Sequence, residues 1–288
     1  GKIIMLQKLN FKPGFNKQVT DSGAESQWTD GDFVRFRYGL PEKIGGWSQL
    51  TSSTLPGAAR AKHAFTSLAG EKYSAIGTNK GLFLFYGGDF FDITPLDTAI
   101  TGATFTVTSG SATVTVNKSS HGLTTGEYIT FTGVTIPTNS GYATADFTGN
   151  TFEVLNSQSA TFQITMPTNS AGASSATGAA TINPYVTIGP AVQTPGYGWG
   201  TSTWGATTWN TPRTTSNVTL DPGQWSLDNF GEVLIATISN GKTFTWNAGA
   251  TNARLVRAST STSGFSTSAN PTASRFTLVS DRDRHVFH

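Results

Sequence analysis

Tyr73-Ser74-Ala75-Ile76-Gly77, Thr78-Asn79-Lys80-Gly81, Leu82-Phe83-Leu84-Phe85-Tyr86, Gly87-Gly88-Asp89 and Phe90-Phe91-Asp92-Ile93 follow one another without interruption. Short aliphatic and aromatic runs separated by polar, glycine-bearing turns are the pattern of an antiparallel meander. The pattern returns in Glu232–Ile238, the turn Ser239–Lys242 and Thr243–Asn247, and again between Phe276 and Phe287. Repeated meanders predict an all-β, β-propeller-like core, whose blades cover one another's faces. A β-sandwich gives similar turn spacing. The recurring order of aliphatic strand, polar turn and aromatic strand favours the propeller.

Between the first two meanders lies a stretch of different composition, rich in Thr, Ser, Gly, Ala and Val. The alternations within Ala112–Val116, His121–Gly133, Thr151–Val154 and Ala160–Ile164 predict four or five short strands in an inserted small β-barrel or β-sandwich. The low-complexity run Asn169–Ala180 reads as a loop or exit linker. Upstream, Phe33-Val34-Arg35-Phe36-Arg37-Tyr38 alternates with period two, as a half-buried strand does, and Gly39-Leu40-Pro41 reads as a break. The organisation expected is residues 1–99 for an N-terminal segment and the first blades, 100–185 for the inserted module, and 186–288 for further blades, incomplete at the C-terminus.

Composition agrees with strands. Of 288 residues only 12% are charged, with 32 Gly, and no run of ten residues carries helical periodicity. Nineteen Lys and Arg against 17 Asp and Glu leave a net charge of +2, which lacks the electrostatic footprint of a nucleic-acid-gripping protein. The absence of Cys excludes disulfides, thiolate metal sites and a cysteine nucleophile. No apolar run approaches the roughly 20 residues of a membrane helix, so no membrane insertion is expected, and no signal peptide is visible.

The residues that suggest chemistry read more simply as structure. The pairs Asp30/Asp32, Asp89/Asp92 and Asp281/Asp283 sit at turns, where Asp caps backbone N–H groups; a glycosidase needs two carboxyls about 5–10 Å apart across a cleft. His63, His121, His285 and His288 lack ligand spacing for zinc, and His121 reads as the start of a turn before Gly122. No nucleophile elbow or phosphate loop is present. The expectation is therefore a non-enzyme with no cofactor and no metal. Arg35 and Arg37 fall on one strand face and read as solvated or interface-pairing residues rather than DNA contacts. Trp199, Trp204 and Trp209, spaced by five, match neither helix nor strand. They suit a subunit interface, internal packing or a sugar-stacking platform.

Ordered motifs along the chain resemble a known family. Phe11–Gln18, Trp28, Asp32–Arg37 and Pro41–Trp47 are similar to the opening of the tail nozzle, or DNA-stabilisation, structural proteins of short-tailed bacteriophages. The Gly–Trp stretch near residue 200 and Ser280–Phe287 look like parts of the same family, and His121–Gly133 resembles a small β-module of phage tail and fibre proteins. The resemblance implies a virion protein assembled in the host cytoplasm. It implies a homo-oligomeric ring of six below a tail adaptor, docking fibre or spike proteins, with viral DNA passing through without sequence-specific binding. It also implies that the natural chain continues beyond His288, since the core holds only four or five blades at about 40–45 residues each. The alternative is a receptor-recognition tail protein that binds host glycans.

Overall fold

The computed structural model describes residues 11–193, 221–260, 271–280 and 282–288, and the chain divides into two compact units, residues 1–52 and 53–288. In the first unit, β1 (Val34–Arg37) and β2 (Leu40–Lys43) form an antiparallel hairpin. Leu40 and Pro41, expected as a break, lie instead in the return strand. The turn is Tyr38-Gly39, both at positive φ (51° and 80°), the combination that lets a two-residue loop follow the twist of its strands. Pro41 is tolerated because the ribbon has only two strands, so the missing N–H breaks no central ladder. Beside the hairpin, the rings of Phe11, Phe15, Trp28 and Phe36 form a small cluster, with Phe15–Phe36 centroids 5.2 Å apart.

The second unit is all-β. It begins with a four-stranded meander, β3 (Ala59–Thr66), β4 (Lys72–Thr78), β5 (Leu82–Tyr86) and β6 (Asp89–Asp92), paired in sequence order. The chain then builds the inserted module from β7 (Ile100–Val107), β8 (Thr113–Asn117), β9 (Tyr128–Thr135), the single-turn helix α1 (Thr144–Phe147), β10 (Thr151–Glu153), β11 (Thr161–Thr165) and β12 (Ser174–Pro184).

These six strands, in the order β10-β9-β12-β7-β8-β11, curl into a nearly closed barrel. Reciprocal backbone bonds of 2.8 Å between Leu155 and Gln163 join its two ends. Closure removes exposed sheet edges, and inward residues fill the lumen: Phe105, Phe131, Phe147, Phe162, Ile129, Ile164 and Ile182 are fully buried. The sheet therefore has six strands rather than four or five. Residues 174–180, expected as a loop, belong to β12, which pairs with both β7 and β9. Its Ser, Ala and Gly residues hid the strand because it is bulged: Gly178 has φ +74°, and a Cβ there would lie 2.5 Å from the Thr135 carbonyl oxygen.

His121 does more than open a turn. Its ring is buried against Phe162, Nδ1 accepts the Leu123 N–H at 3.1 Å, and Nε2 lies 2.7 Å from the Gln158 carbonyl. With Nδ1 accepting, Nε2 carries the proton and donates. The imidazole thus clamps the His-Gly-Leu turn to the β10–β11 connection.

The chain returns to β13 (Trp225–Phe230), β14 (Val233–Ile238) and β15 (Thr243–Asn247), a second meander, followed by the hairpin β16 (Leu278–Ser280) and β17 (His285–Phe287). The two meanders share one apolar core, including Phe65, Tyr73, Leu84, Trp225, Phe244 and Trp246. Two meanders packed over a common core form the β-propeller-like body. The barrel's core contains none of these residues, so the second unit holds two separate apolar centres.

Candidate functional site

A polar cluster lies where the barrel meets the first meander. The chain leaves β6 through Thr94-Pro95-Leu96 and returns from β12 through Tyr185, which bridges Leu96. Asp97 N–H donates to Pro184 O (2.8 Å) and Val186 N–H to Pro95 O (3.2 Å), so the two crossing segments pair as a short neck.

Beside this neck, one oxygen of Asp92 accepts the Thr94 N–H (2.9 Å) and hydroxyl (2.6 Å) and lies 3.3 Å from the Arg257 guanidinium. The other accepts the Tyr185 hydroxyl and a second Arg257 N–H at 3.4 Å. Arg257 also donates to the Thr94 carbonyl (2.9 Å) and lies over the Tyr185 ring, 4.7 Å from its centroid. The Tyr185 hydroxyl meets Thr151 at 2.7 Å, and Lys80 reaches Glu153 at 3.1 Å while sitting 4.8 Å above the Tyr128 ring. Three stretches of chain converge here: the first meander, the barrel, and the segment after β15.

This arrangement holds its parts together and offers little to a substrate. A carboxylate has about four lone-pair sites, and those of Asp92 are occupied. Burial, together with the Asp92 carboxylate, pushes the Tyr185 phenol up to about 12, so it remains a donor rather than a nucleophile. An adjoining cleft of about 540 Å³ is lined by Lys80, Thr125, Tyr128, Tyr185 and Ile188 among others. Several of its polar groups are bonded within the protein: Asn79 accepts the Ala58 N–H, Glu127 accepts the Thr124 N–H, and Lys80 pairs with Glu153.

A related cluster lies in the first meander. Glu71 accepts the hydroxyls of Tyr73 and Tyr86, which hold its carboxyl below the ordinary range. Arg254 stacks over Tyr86 and Phe91. Burial and the bond to Glu71 push the Tyr73 phenol up to about 12. Because the folded state holds the Tyr73 and Tyr185 protons more tightly, their contribution to stability is complete below about pH 10 and is lost as pH rises toward 12. Ultraviolet titration of the phenolates should show Tyr73 and Tyr185 as the latest to ionise, with Tyr86 and Tyr142 also displaced upward, and Tyr73→Phe and Tyr185→Phe should each remove one of the latest. Simultaneous titration of all tyrosines near pH 10 in the folded protein contradicts the assignment.

The other residues singled out in the sequence are dispersed. Arg35 and Arg37 are exposed on one face of β1; Arg35 pairs with Glu42 at 3.2 Å, and Arg37 lies 5.4 Å from the Tyr38 ring centroid. Asp30 pairs with Lys17 at 2.8 Å and accepts the Gly31 N–H; Asp283 caps a turn with Ser280. His63 bonds Asn229 (2.7 Å) and His288 bonds Thr277 (3.1 Å). Among the described residues no three His, Cys, Asp or Glu side chains gather as a metal site. Trp199, Trp204, Trp209 and Asp281 lie outside the described residues. Sequence reasoning missed Tyr185 and Arg257, because their shared partner Asp92 is distant from both in the chain.

No protein-family model matches the chain, and no curated protein matches it. Among solved structures four chains match. One of them, the phage phi92 endosialidase, aligns over 72% of this chain at 17% identity and a TM-score of 0.24. The alignment covers 30% of the endosialidase chain, so the present chain spans less than a third of that protein's length.

Proposed function

We propose that this chain is a non-enzymatic structural subunit of a short-tailed phage tail, a ring-forming nozzle that extends the DNA conduit, helps retain the packaged genome and docks other tail proteins. The family-like motifs from Phe11 to Trp47 and from His121 to Gly133 support the placement. The observation that carries the structural role is the Asp92–Arg257–Tyr185 cluster, whose polar groups join barrel and blades instead of facing a substrate. A net charge of +2 suits a conduit, since each phosphate neutralised by the wall adds to a salt-dependent affinity that opposes DNA movement. The role requires no cofactor.

The test is a phage from which the gene is deleted, with a complementing copy as control. Loss of packaged DNA and absence of the lower tail in electron micrographs are expected. Particles that keep both the genome and a complete tail refute the proposal.

A further inference from the structure

The amino-terminal unit buries very little of its own apolar surface. Among its described residues only Ala24 is buried, although the unit carries two Trp and several Phe, Leu and Ile. Phe33, Tyr38, Leu40 and Leu50 are each at least 70% exposed, Ile44 is about half exposed, and Trp47 is fully exposed. The β1–β2 ribbon that carries several of them gains no third strand among the described residues, and an isolated two-stranded ribbon is only marginally stable in water.

We infer that residues 33–50 are an assembly arm whose apolar side chains are covered by a second copy of this chain. Area, chemistry and stoichiometry support that occupant. Fully exposed aromatic side chains present about 150–250 Å² each, so the six residues together offer on the order of 800 Å², the share that one partner contributes to a standard protein–protein interface. Leu40, Ile44 and Leu50 have no side-chain polar atoms for a sugar to bond, and Arg35 is already paired with Glu42, so a glycan fits this surface less well than an apolar partner. Apolar surface exposed on this scale along residues 33–50 is of the kind that an interaction partner covers. Another copy is the partner present in equal number. If the acceptor is a different surface of that copy, the contact is head-to-tail and closes into a ring when its rotation permits.

The inference rests on the ring reading proposed above and specifies its contact surface. The test uses the full chain in sedimentation velocity and native mass spectrometry at micromolar concentration. Wild type should be oligomeric, and Leu40→Asp combined with Trp47→Asp should weaken association at least about a hundredfold. Glu42→Gln on the same ribbon should leave the oligomer intact. Because the double variant risks misfolding, a photo-crosslinking benzoylphenylalanine in place of Trp47 gives a second readout: the expected product has twice the chain mass. A crosslink confined within one chain, or a double variant that is folded and still fully oligomeric, overturns the assignment while leaving the nozzle reading to the particle experiment. A wild-type chain that stays monomeric also overturns it.

Discussion

Valine in place of Gly77 is expected to destabilise the paired meanders by about 3–5 kcal/mol, a large part of the roughly 5–15 kcal/mol that holds a folded domain. Gly77 lies on β4 facing Trp225 of β13. A Cβ added there would lie 2.6–2.7 Å from Trp225 side-chain carbons, well inside van der Waals contact. The indole has little freedom to retreat. It is buried beside Phe244, and its Nε1–H donates to the Thr78 carbonyl at 2.9 Å, one residue along the strand that would carry the valine. Either the sheets separate, opening the core they share, or Trp225 rotates and leaves its hydrogen bond and its packing behind. Urea unfolding followed by tryptophan fluorescence provides the measurement. The Trp225→Leu background should absorb much of the penalty, because the two residues are in contact and their effects do not add. An unchanged midpoint for Gly77→Val in the wild-type background would falsify the packing described here.

The residues that make this contact illustrate what the sequence made legible. Strands β4, β5, β14 and β15 announce themselves because each carries aliphatic or aromatic residues, on one face in β4 and β15 and throughout most of β5 and β14, and such runs between polar turns have few other readings. Strand β3 is harder to see: Ala59–Thr66 mixes Ala with Arg, Lys and His, and only Phe65 is buried. Strand β13 contains Asp228-Asn229, a pair that reads as a turn. In the fold Asn229 bonds His63, and Asp228 accepts the Val279 N–H, so tertiary partners override the local preference. The barrel concealed β12 for a different reason, because small residues that permit a bulge also lower the apparent strand signal. At the neck, the structural reading of Asp92 was available from its turn position. Its binding to Arg257 and Tyr185 was not, since a single sequence carries no sign of which distant residues will converge.

Excising residues 98–183 and joining Asp97 to Pro184 through two glycines is expected to leave a folded blade pair that has lost one unfolding transition. The junction is already closed in space. Asp97 N–H bonds the Pro184 carbonyl and Leu96 bridges Tyr185, so a two-residue turn spans the gap as it would in a hairpin. The blade core loses no member, because none of its buried residues lies between 98 and 183. The Asp92–Arg257 ion pair stays, and the losses are the Tyr185–Thr151 and Lys80–Glu153 contacts together with those of Tyr128, which lies under Lys80, packs on the Tyr185 ring and accepts the Tyr185 N–H at 2.9 Å. Partly exposed contacts of this kind are worth on the order of 1 kcal/mol each. Against that stands a loop-closure term. If the barrel melts first in the intact protein, it becomes a long loop inserted in the blade, and each doubling of loop length costs about 0.6 kcal/mol. The shortened chain avoids that term, so its blade transition should fall close to that of the parent. The excised segment, with its own closed sheet and its Phe105–Phe131–Phe147 centre, should unfold cooperatively by itself. Calorimetry on the three proteins decides the matter: a shortened chain without a cooperative transition would mean that the blades depend on the barrel for their fold, and that the neck is not a boundary between independent cores.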